Sequence, residues 1–239
     1  ATLCSVVGRR ASTRIIRGQA HQYSKGIVPK VGALPMKNRF EPPVAACVAV
    51  KKALPSVPHY LQAHYWWAYV HPRAVHVFER QWLVNLILWG NYKRLCNAVL
   101  QAYGNHLPGR TLQIACAYGD LTPRLAACVA PGGALEIIDI LPIQLENLAG
   151  KLAAAAPIKL HCMDSAALTF ADASFDRALL FFLLHEQPQA VRERTLAEAF
   201  RVVRPGGTLT IVDYAPPSRF NRDAIAIAAI QPSSRRARS

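Results

Sequence analysis

Acidic residues are scarce: the 239-residue chain has 14 Asp and Glu against 28 Lys and Arg, and none of the 14 falls in the first forty positions. The body of the chain does not share the imbalance. Residues 53 to 214 hold thirteen basic and twelve acidic residues, a net charge of +1. A groove that tracks phosphates needs its positive charge on the fold, so the sequence argues against a nucleic-acid partner. Paired cysteines are also missing. Cys4, Cys47, Cys96, Cys116, Cys128 and Cys162 make no C-x-x-C and no metal-ligand spacing, which reads as free thiols in a reducing compartment. Long apolar runs are absent as well. The best candidate, QWLVNLILWGNY over residues 81–92, falls short of the roughly 18 to 20 residues that a bilayer-spanning helix needs.

What the first fifty residues do contain is a pattern of its own. Arg9, Arg10, Arg14, Arg17 and Lys25 are interleaved with Ser5, Ser12, Thr13 and Ser24 among apolar residues, the composition of a mitochondrial transit peptide. A run of prolines from Pro29 to Pro58 suits a solvated, irregular tail. Residues 1–52 are therefore expected to be a disordered basic leader outside the fold, addressing the protein to mitochondria, on the matrix side of the inner membrane. At the other end, residues 222–239 close on SSRRARS and read as a divergent or truncated basic tail, too short for both a further helix and a hairpin.

Between these ends the pattern alternates. Strands are expected at 111–116, 134–139, 158–162, 176–183 and 208–214, and helices at 120–130, 142–153 and 189–204. Pro131-Gly132-Gly133 and Pro205-Gly206-Gly207 supply the helix stops. The alternation implies an α/β domain over residues 106–221, with a mostly parallel sheet covered by helices on both faces. Ligands of such sheets bind at the carboxyl ends of the strands. Four groups fall there: the turn from Ala117 to Asp120, Asp139, Asp164, and the pair His185-Glu186.

The first of these groups is the most informative. The strand in TLQIACAYGD enters a tight turn, and Asp139 closes the next strand twenty residues after Gly119. This is the layout of a nucleoside-binding βαβ unit, in which the turn approaches the ligand and the second strand's carboxylate accepts hydrogen bonds from ribose hydroxyls. Such loops for dinucleotides or S-adenosylmethionine (SAM) carry glycines where this chain has Ala115 and Ala117. Only Gly119 is expected to take a positive φ.

With TLQIACAYGD, ALEIIDI, CMDSAALTFADASFDRALLFFLLHE and FRVVRPGGTLTIVDY in order, residues 107–214 resemble a class I SAM-dependent methyltransferase domain, a Rossmann-like fold. The upstream segment HYWWAYVHPRAVHVFERQWLVNLILWGNYKRL, residues 64–95, resembles more specifically the rhodoquinone biosynthesis protein family, RquA. That resemblance implies replacement of a ring methoxy group of ubiquinone by an amino group, with SAM as amino donor and manganese assisting. An ordinary methyltransferase has an acidic residue at the position of Gln113, and its absence fits a departure from methyl transfer. A SAM-dependent methyltransferase of a quinone or other lipophilic acceptor, and a catalytically silent SAM-fold subunit of a quinone-biosynthesis complex, stand as alternatives.

The resemblance assigns SAM contacts to Ala115, Cys116, Ala117, Gly119, Asp120, Asp139, Ile140, Met163, Asp164, Ser165 and Phe182. Asp139 would take the ribose. Asp164 would take the adenine amino group, and Met163 would flank the ring; Asp164 could equally cap a helix starting at Ala166. Asp120 could hold the SAM amino group or cap the helix that follows it. Tyr118, His185 and Glu186 are the candidate catalytic groups. His185 and Glu186 are also the candidate manganese ligands, a pair too small for a site without Asp120 or Asp213, and they could instead cap the helix after 189.

All four tryptophans lie between Tyr60 and Tyr92. An aromatic stripe at helical spacing is more often core than cofactor site, yet a lipophilic quinone needs an apolar surface with amphipathic aromatic ends. Residues 58–105 are accordingly expected to form a helical lid in peripheral contact with the membrane, with part of its face packed on the sheet and part receiving the quinone. Tyr65, Trp66, His71, Arg80 and Trp89 would meet ubiquinone.

Overall fold

The computed structural model describes residues 13–15, 57–64, 77–88, 90–153, 157–214 and 225–231. In chain order the elements are β1 (Thr13–Ile15), α1 (His59–His64), α2 (Gln81–Ile87), α3 (Tyr92–Tyr103), β2 (Arg110–Ile114), α4 (Leu121–Ala127), β3 (Ala134–Asp139), α5 (Pro142–Ala149), β4 (Ile158–Cys162), β5 (Phe175–Phe181), a 3-10 turn (Leu184–Glu186), α6 (Gln189–Val202), β6 (Val203–Tyr214) and β7 (Ile225–Ile230). The strands form one seven-stranded sheet in the order β1-β7-β6-β5-β2-β3-β4. β2 to β6 run parallel, whereas β7 joins β6, and β1 joins β7, antiparallel.

The order follows from the period of two along each strand. Leu112 and Ile114 of β2, Ala178 and Leu180 of β5, and Leu209 and Ile211 of β6 meet Leu196, Ala199 and Val202 of α6 on one face. On the other face Leu135 and Ile137, Leu179 and Phe181, and Val212 meet α3, α4 and α5. Both faces of the sheet are covered, as the alternation required. The chain winds outward through β3 and β4, then returns to place β5 on the other side of β2. The crevice between β2 and β5 is therefore the topological switch point.

Helix α3 shows how the packing arises locally. Tyr92, Leu95, Cys96 and Val99 are buried at i, i+3, i+4 and i+7, the stripe that a core-facing helix presents. Gly104 ends it with a φ of 78°. Within the segment expected as a lid over 58–105, α3 is thus the part that packs on the sheet, because its apolar stripe matches the sheet face.

Other expectations shift for equally local reasons. The helix expected at 120–130 stops at Ala127 and the one expected at 142–153 stops at Ala149, just before Gly150. Strand β6 starts at Val203, before Pro205-Gly206-Gly207, and these residues bulge out between the pairings Phe175↔Val203 and Arg177↔Thr208. The tail expected beyond 222 supplies β7, whose IAIAAI pairs along β6 from Ile225 to Ile230. Within the expected disordered leader, Thr13–Ile15 adds an edge strand on β7. The outer side of β7 offers unpaired backbone groups, and a segment with two β-branched residues is suited to take them.

Arg110, at the start of β2, and His161, on β4, clasp the carboxylate of Glu136 on β3, at 2.6 and 2.9 Å. The His161 hydrogen bond, with Arg110 adding to it, lowers the Glu136 pKa to about 2 despite burial.

The turn after β2 depends on Tyr92. Its hydroxyl accepts from the N–H groups of Asp120 and Leu121, at 2.8 and 3.1 Å, and donates to the carbonyl of Tyr118 at 3.1 Å. Gly119, at a φ of 83°, lies so close that a side chain there would collide with the Tyr92 ring. Tyr92→Phe strands three backbone groups and is expected to cost roughly 1–3 kcal/mol, with Gly119→Ala costing at least as much. Urea unfolding measures both, and an unchanged midpoint for Tyr92→Phe refutes the role given to the hydroxyl.

Candidate active site

A cleft open to solvent lies over the carboxyl ends of the central strands. β2 leads into Ala115 and Cys116, β3 ends in Asp139 and Ile140, and β4 leads to Met163, Asp164 and Ser165. β5 contributes Phe181 and Phe182, and the 3-10 turn contributes Glu186. Helix α1 closes one side with Tyr60 and Leu61.

Eight of the eleven cofactor contacts expected from sequence share this cleft: Ala115, Cys116, Asp139, Ile140, Met163, Asp164, Ser165 and Phe182. Ala117, Gly119 and Asp120 are not on its wall. The carbonyl of Gly119 accepts from the Lys151 ammonium, and its N–H donates to Glu79, at 3.1 and 3.0 Å. Asp120 stands at the N-cap of α4 without capping it, because the Tyr92 hydroxyl already serves those N–H groups. Its Oδ1 is buried with no hydrogen-bond partner.

The backbone around the cleft is strained. Ala115 takes a φ of 73° and Phe182 one of 55°, conformations that cost an L-residue about 1–2 kcal/mol. Gly119 is therefore not the sole positive-φ residue of the loop, as the missing glycines had suggested. Ala115 N–H bonds to the Ile138 carbonyl at 3.0 Å, and the Gln113 amide donates to the Ala115 carbonyl at 3.1 Å. These bonds hold alanine where glycine would rest without strain. Strain of this kind clusters at ligand clamps.

Asp139 is almost fully buried, at 8% exposure. Its carboxylate accepts from the N–H of Cys116 at 2.8 Å and of Leu141 at 2.9 Å. Burial outweighs these bonds and raises its pKa to about 6. The Cys116 thiol and the Ile140 N–H also favour its ionised form. Asp164 spends Oδ1 on the Ala166 N–H at 2.8 Å. This is a turn rather than a helix cap, since no helix follows.

Gln187, next to Glu186 and overlooked in the sequence, donates to Ser165 at 3.0 Å, while its Oε1 is buried without a partner. An unmatched acceptor beside Asp164 suits the exocyclic amine of an adenine. Tyr60 is the other overlooked group. Burial, with Asp164 nearby, pushes its phenol up to about 12. No local pattern in the sequence links Tyr60 to a site fifty residues away.

The catalytic candidates separate. Glu186 lines the cleft. His185 does not, but its Nδ1 lies 3.0 Å from Asp213 Oδ1 and its Nε2 lies 3.8 Å from Glu186 Oε1. Asp213 also accepts from the N–H groups of Leu184 and Tyr214, at 2.8 and 2.7 Å. It ties the 3-10 turn to the tip of β6 and orients the imidazole. The pair does not cap α6, whose N-cap residue is Pro188.

Tyr118 lies off the wall. Its ring stacks on Phe78 with centroids 6.0 Å apart, and its hydroxyl accepts from Gln144 Nε2 at 2.9 Å. Burial raises its pKa, so the phenol stays protonated. Arg80 is exposed at the start of α2. Tyr65, Trp66, His71 and Trp89 lie outside the described residues. Among the described residues, no group of three or more His, Cys, Asp or Glu side chains is placed to hold a metal ion.

Asp139 generates a two-sided prediction. Between the ordinary value of 3.8 and about 6, it is protonated in the folded protein and ionised in the unfolded chain. Stability therefore falls as pH rises through that window, by at most about 1.4 kcal/mol per unit. Affinity for a ribose needs the ionised form and rises over the same window. Asp139→Asn is expected to flatten both profiles and to weaken SAM binding by about 2 kcal/mol or more. Calorimetric titration at pH 5 and pH 7 checks this, and identical profiles for the two proteins refute it.

Comparison with known proteins agrees with this geometry. A methyltransferase domain family model matches residues 111–207. Demethylmenaquinone methyltransferases of Staphylococcus aureus strains JH9 and Newman are each 30% identical over 136 residues, 57% of this chain. The chain spans about half the length of these curated relatives, 56%. The crystal structure of a SAM-dependent methyltransferase from Aquifex aeolicus superposes with a TM-score of 0.51 at 15% identity, covering 67% of this chain and 97% of that one. Strand order, cleft position and the match over residues 111–207 together give this part of the chain the Rossmann-like fold of class I SAM-dependent methyltransferases.

Proposed function

We propose that the protein is a SAM-dependent transferase acting on a quinone, and that it replaces a ring methoxy group of ubiquinone by an amino group to give rhodoquinone. The observation that carries this reading is Gln113. It is fully buried, and its amide is engaged by the Ala115 carbonyl and the Thr122 hydroxyl, at 3.1 and 3.0 Å. A carboxylate in that position would add a buried negative charge beneath the loop and favour the donor's amine as an ammonium ion, which is not a nucleophile. A neutral amide removes that charge and leaves the amine free to lose its proton.

In this reading Asp139 binds the ribose, Asp164 and Gln187 meet the adenine edge, and Met163 and Phe182 flank the ring. SAM supplies the nitrogen that bonds to the ring carbon as the methoxy group leaves as methanol, and water then has to break the bond between that nitrogen and SAM's α-carbon, so that the ring keeps the amino group and the remainder of SAM leaves with the hydroxyl. Glu186, in the cleft, and His185, held by Asp213, accept and return the protons that this exchange releases. Manganese would have His185 and Glu186 as its protein donors. With Nδ1 of His185 facing Asp213 and no third donor among the described residues, no step is assigned to the metal.

Methyl transfer to a quinone is the second reading, supported by the similarity to demethylmenaquinone methyltransferases. Isotopes separate the two. With ubiquinone and SAM carrying heavy nitrogen in its amino group, amination places the label on the quinone ring. With methyl-labelled SAM, methylation labels the product instead, and that outcome alone overturns the proposal. Gln113→Glu is expected to lower amination about tenfold, since a buried negative charge near the amine that raises its pKa by about one unit cuts the free amine about tenfold.

We also assign the protein to the mitochondrial matrix, on the basic, acid-free composition of residues 1–40. A fluorescent reporter carrying residues 1–50 is expected in mitochondria, and a diffuse cytosolic signal refutes the address.

A further inference from the structure

We infer that the outer face of α2 is a docking surface for an anionic lipid bilayer. The inference deepens the quinone reading and rests on it for the identity of the lipid-soluble substrate. The large apolar side chains left exposed among the described residues are Val77, Trp82, Leu86 and Ile87, at 45, 62, 65 and 45%, and all of them fall in one short segment. The opposite side of the segment is anchored, with Leu88 buried and Val84 packed on the core. α2 is thus apolar on both sides, and only one side is used by the fold.

Charge identifies what the other side meets. Arg80, Lys93 and Arg94 are exposed around the patch, and from residue 80 to residue 119 the sequence has no Asp or Glu. The nearest acid, Glu79, is turned inward onto Lys151, Asn147 and the Gly119 N–H, at 2.7, 2.7 and 3.0 Å. An apolar patch containing tryptophan within a rim of basic residues matches the interface of a membrane rich in anionic lipid. A second copy of the chain is a poorer match, because a two-fold contact would press one basic rim against another.

The patch is joined to the cleft loop. Phe78 stacks on Tyr118, and Glu79 holds the N–H of Gly119. A bilayer that seats α2 therefore acts on the same turn that borders the cleft.

Sedimentation of the full chain with phosphatidylglycerol vesicles, and separately with phosphatidylcholine vesicles, tests the surface. Binding to the anionic vesicles is expected to be the stronger. Trp82→Ser with Leu86→Ser should reduce it at least tenfold, given roughly 1.5–3 kcal/mol per buried apolar side chain. Lys93→Gln should reduce it about fivefold, from roughly 1 kcal/mol per basic residue near such a surface. Calorimetric SAM affinity, unchanged in these variants, shows that they fold. Equal binding by wild type and the double variant overturns the inference, as does a dimer in analytical ultracentrifugation that the same substitutions dissolve while vesicles bind nothing. Turnover of a short-tailed, water-soluble quinone keeps the two ideas apart. Vesicle binding without turnover supports the surface and overturns the enzyme reading, whereas turnover without vesicle binding does the reverse.

Discussion

The hydroxyl of Tyr92 fixes the turn on which the site depends. A turn between a strand and a helix exposes helix N–H groups that must find acceptors, and a side chain inside the turn usually provides one. Here Asp120 stands in that position without doing so, and a phenol from α3 reaches in to satisfy two N–H groups and a carbonyl. The glycine at 119 follows from this, since any side chain there would occupy the space of the phenol. α3, α4 and the loop between β2 and α4 consequently move as one body.

Two carboxylates three residues apart on β3 show how the fold separates stability from chemistry. Glu136 and Asp139 are both nearly buried. Glu136, nearer the start of the strand, is clasped by His161 and Arg110 and held near 2. Asp139, at the carboxyl end, has backbone N–H groups and the Cys116 thiol for company and is pushed up to about 6. The first stays ionised well below the ordinary carboxylate range. The second faces a cleft, at some expense in stability.

The parallel core was legible because its strands repeat every two residues and its helices stop at glycine and proline. Strands β3 and β4 fall where the apolar pattern puts them. Asp139, Asp164 and Glu186 were legible as strand-end acids, since in a parallel sheet every strand delivers its last residue to the same edge. Tyr60, Gln144 and Glu79 were not. They reach the site or its loop from helical segments whose position depends on tertiary packing, which no local spacing encodes. Ala115 was misjudged for a related reason: side-chain preference argues against a positive φ, but bonds from Ile138 and Gln113 override it. The edge strands β1 and β7 escaped notice because short segments of small and β-branched residues become strands only where a partner edge is available.

Alanine at position 115 also has a consequence in time. A glycine loop can swing between mirror-image backbone conformations and peel away from an arriving nucleotide, whereas alanine pays for every such excursion and has fewer of them available. The loop is consequently stiff in both the empty and the filled state. Fitting of a ligand then rests on the other lining groups, among them Tyr60 and Leu61 of the six-residue α1.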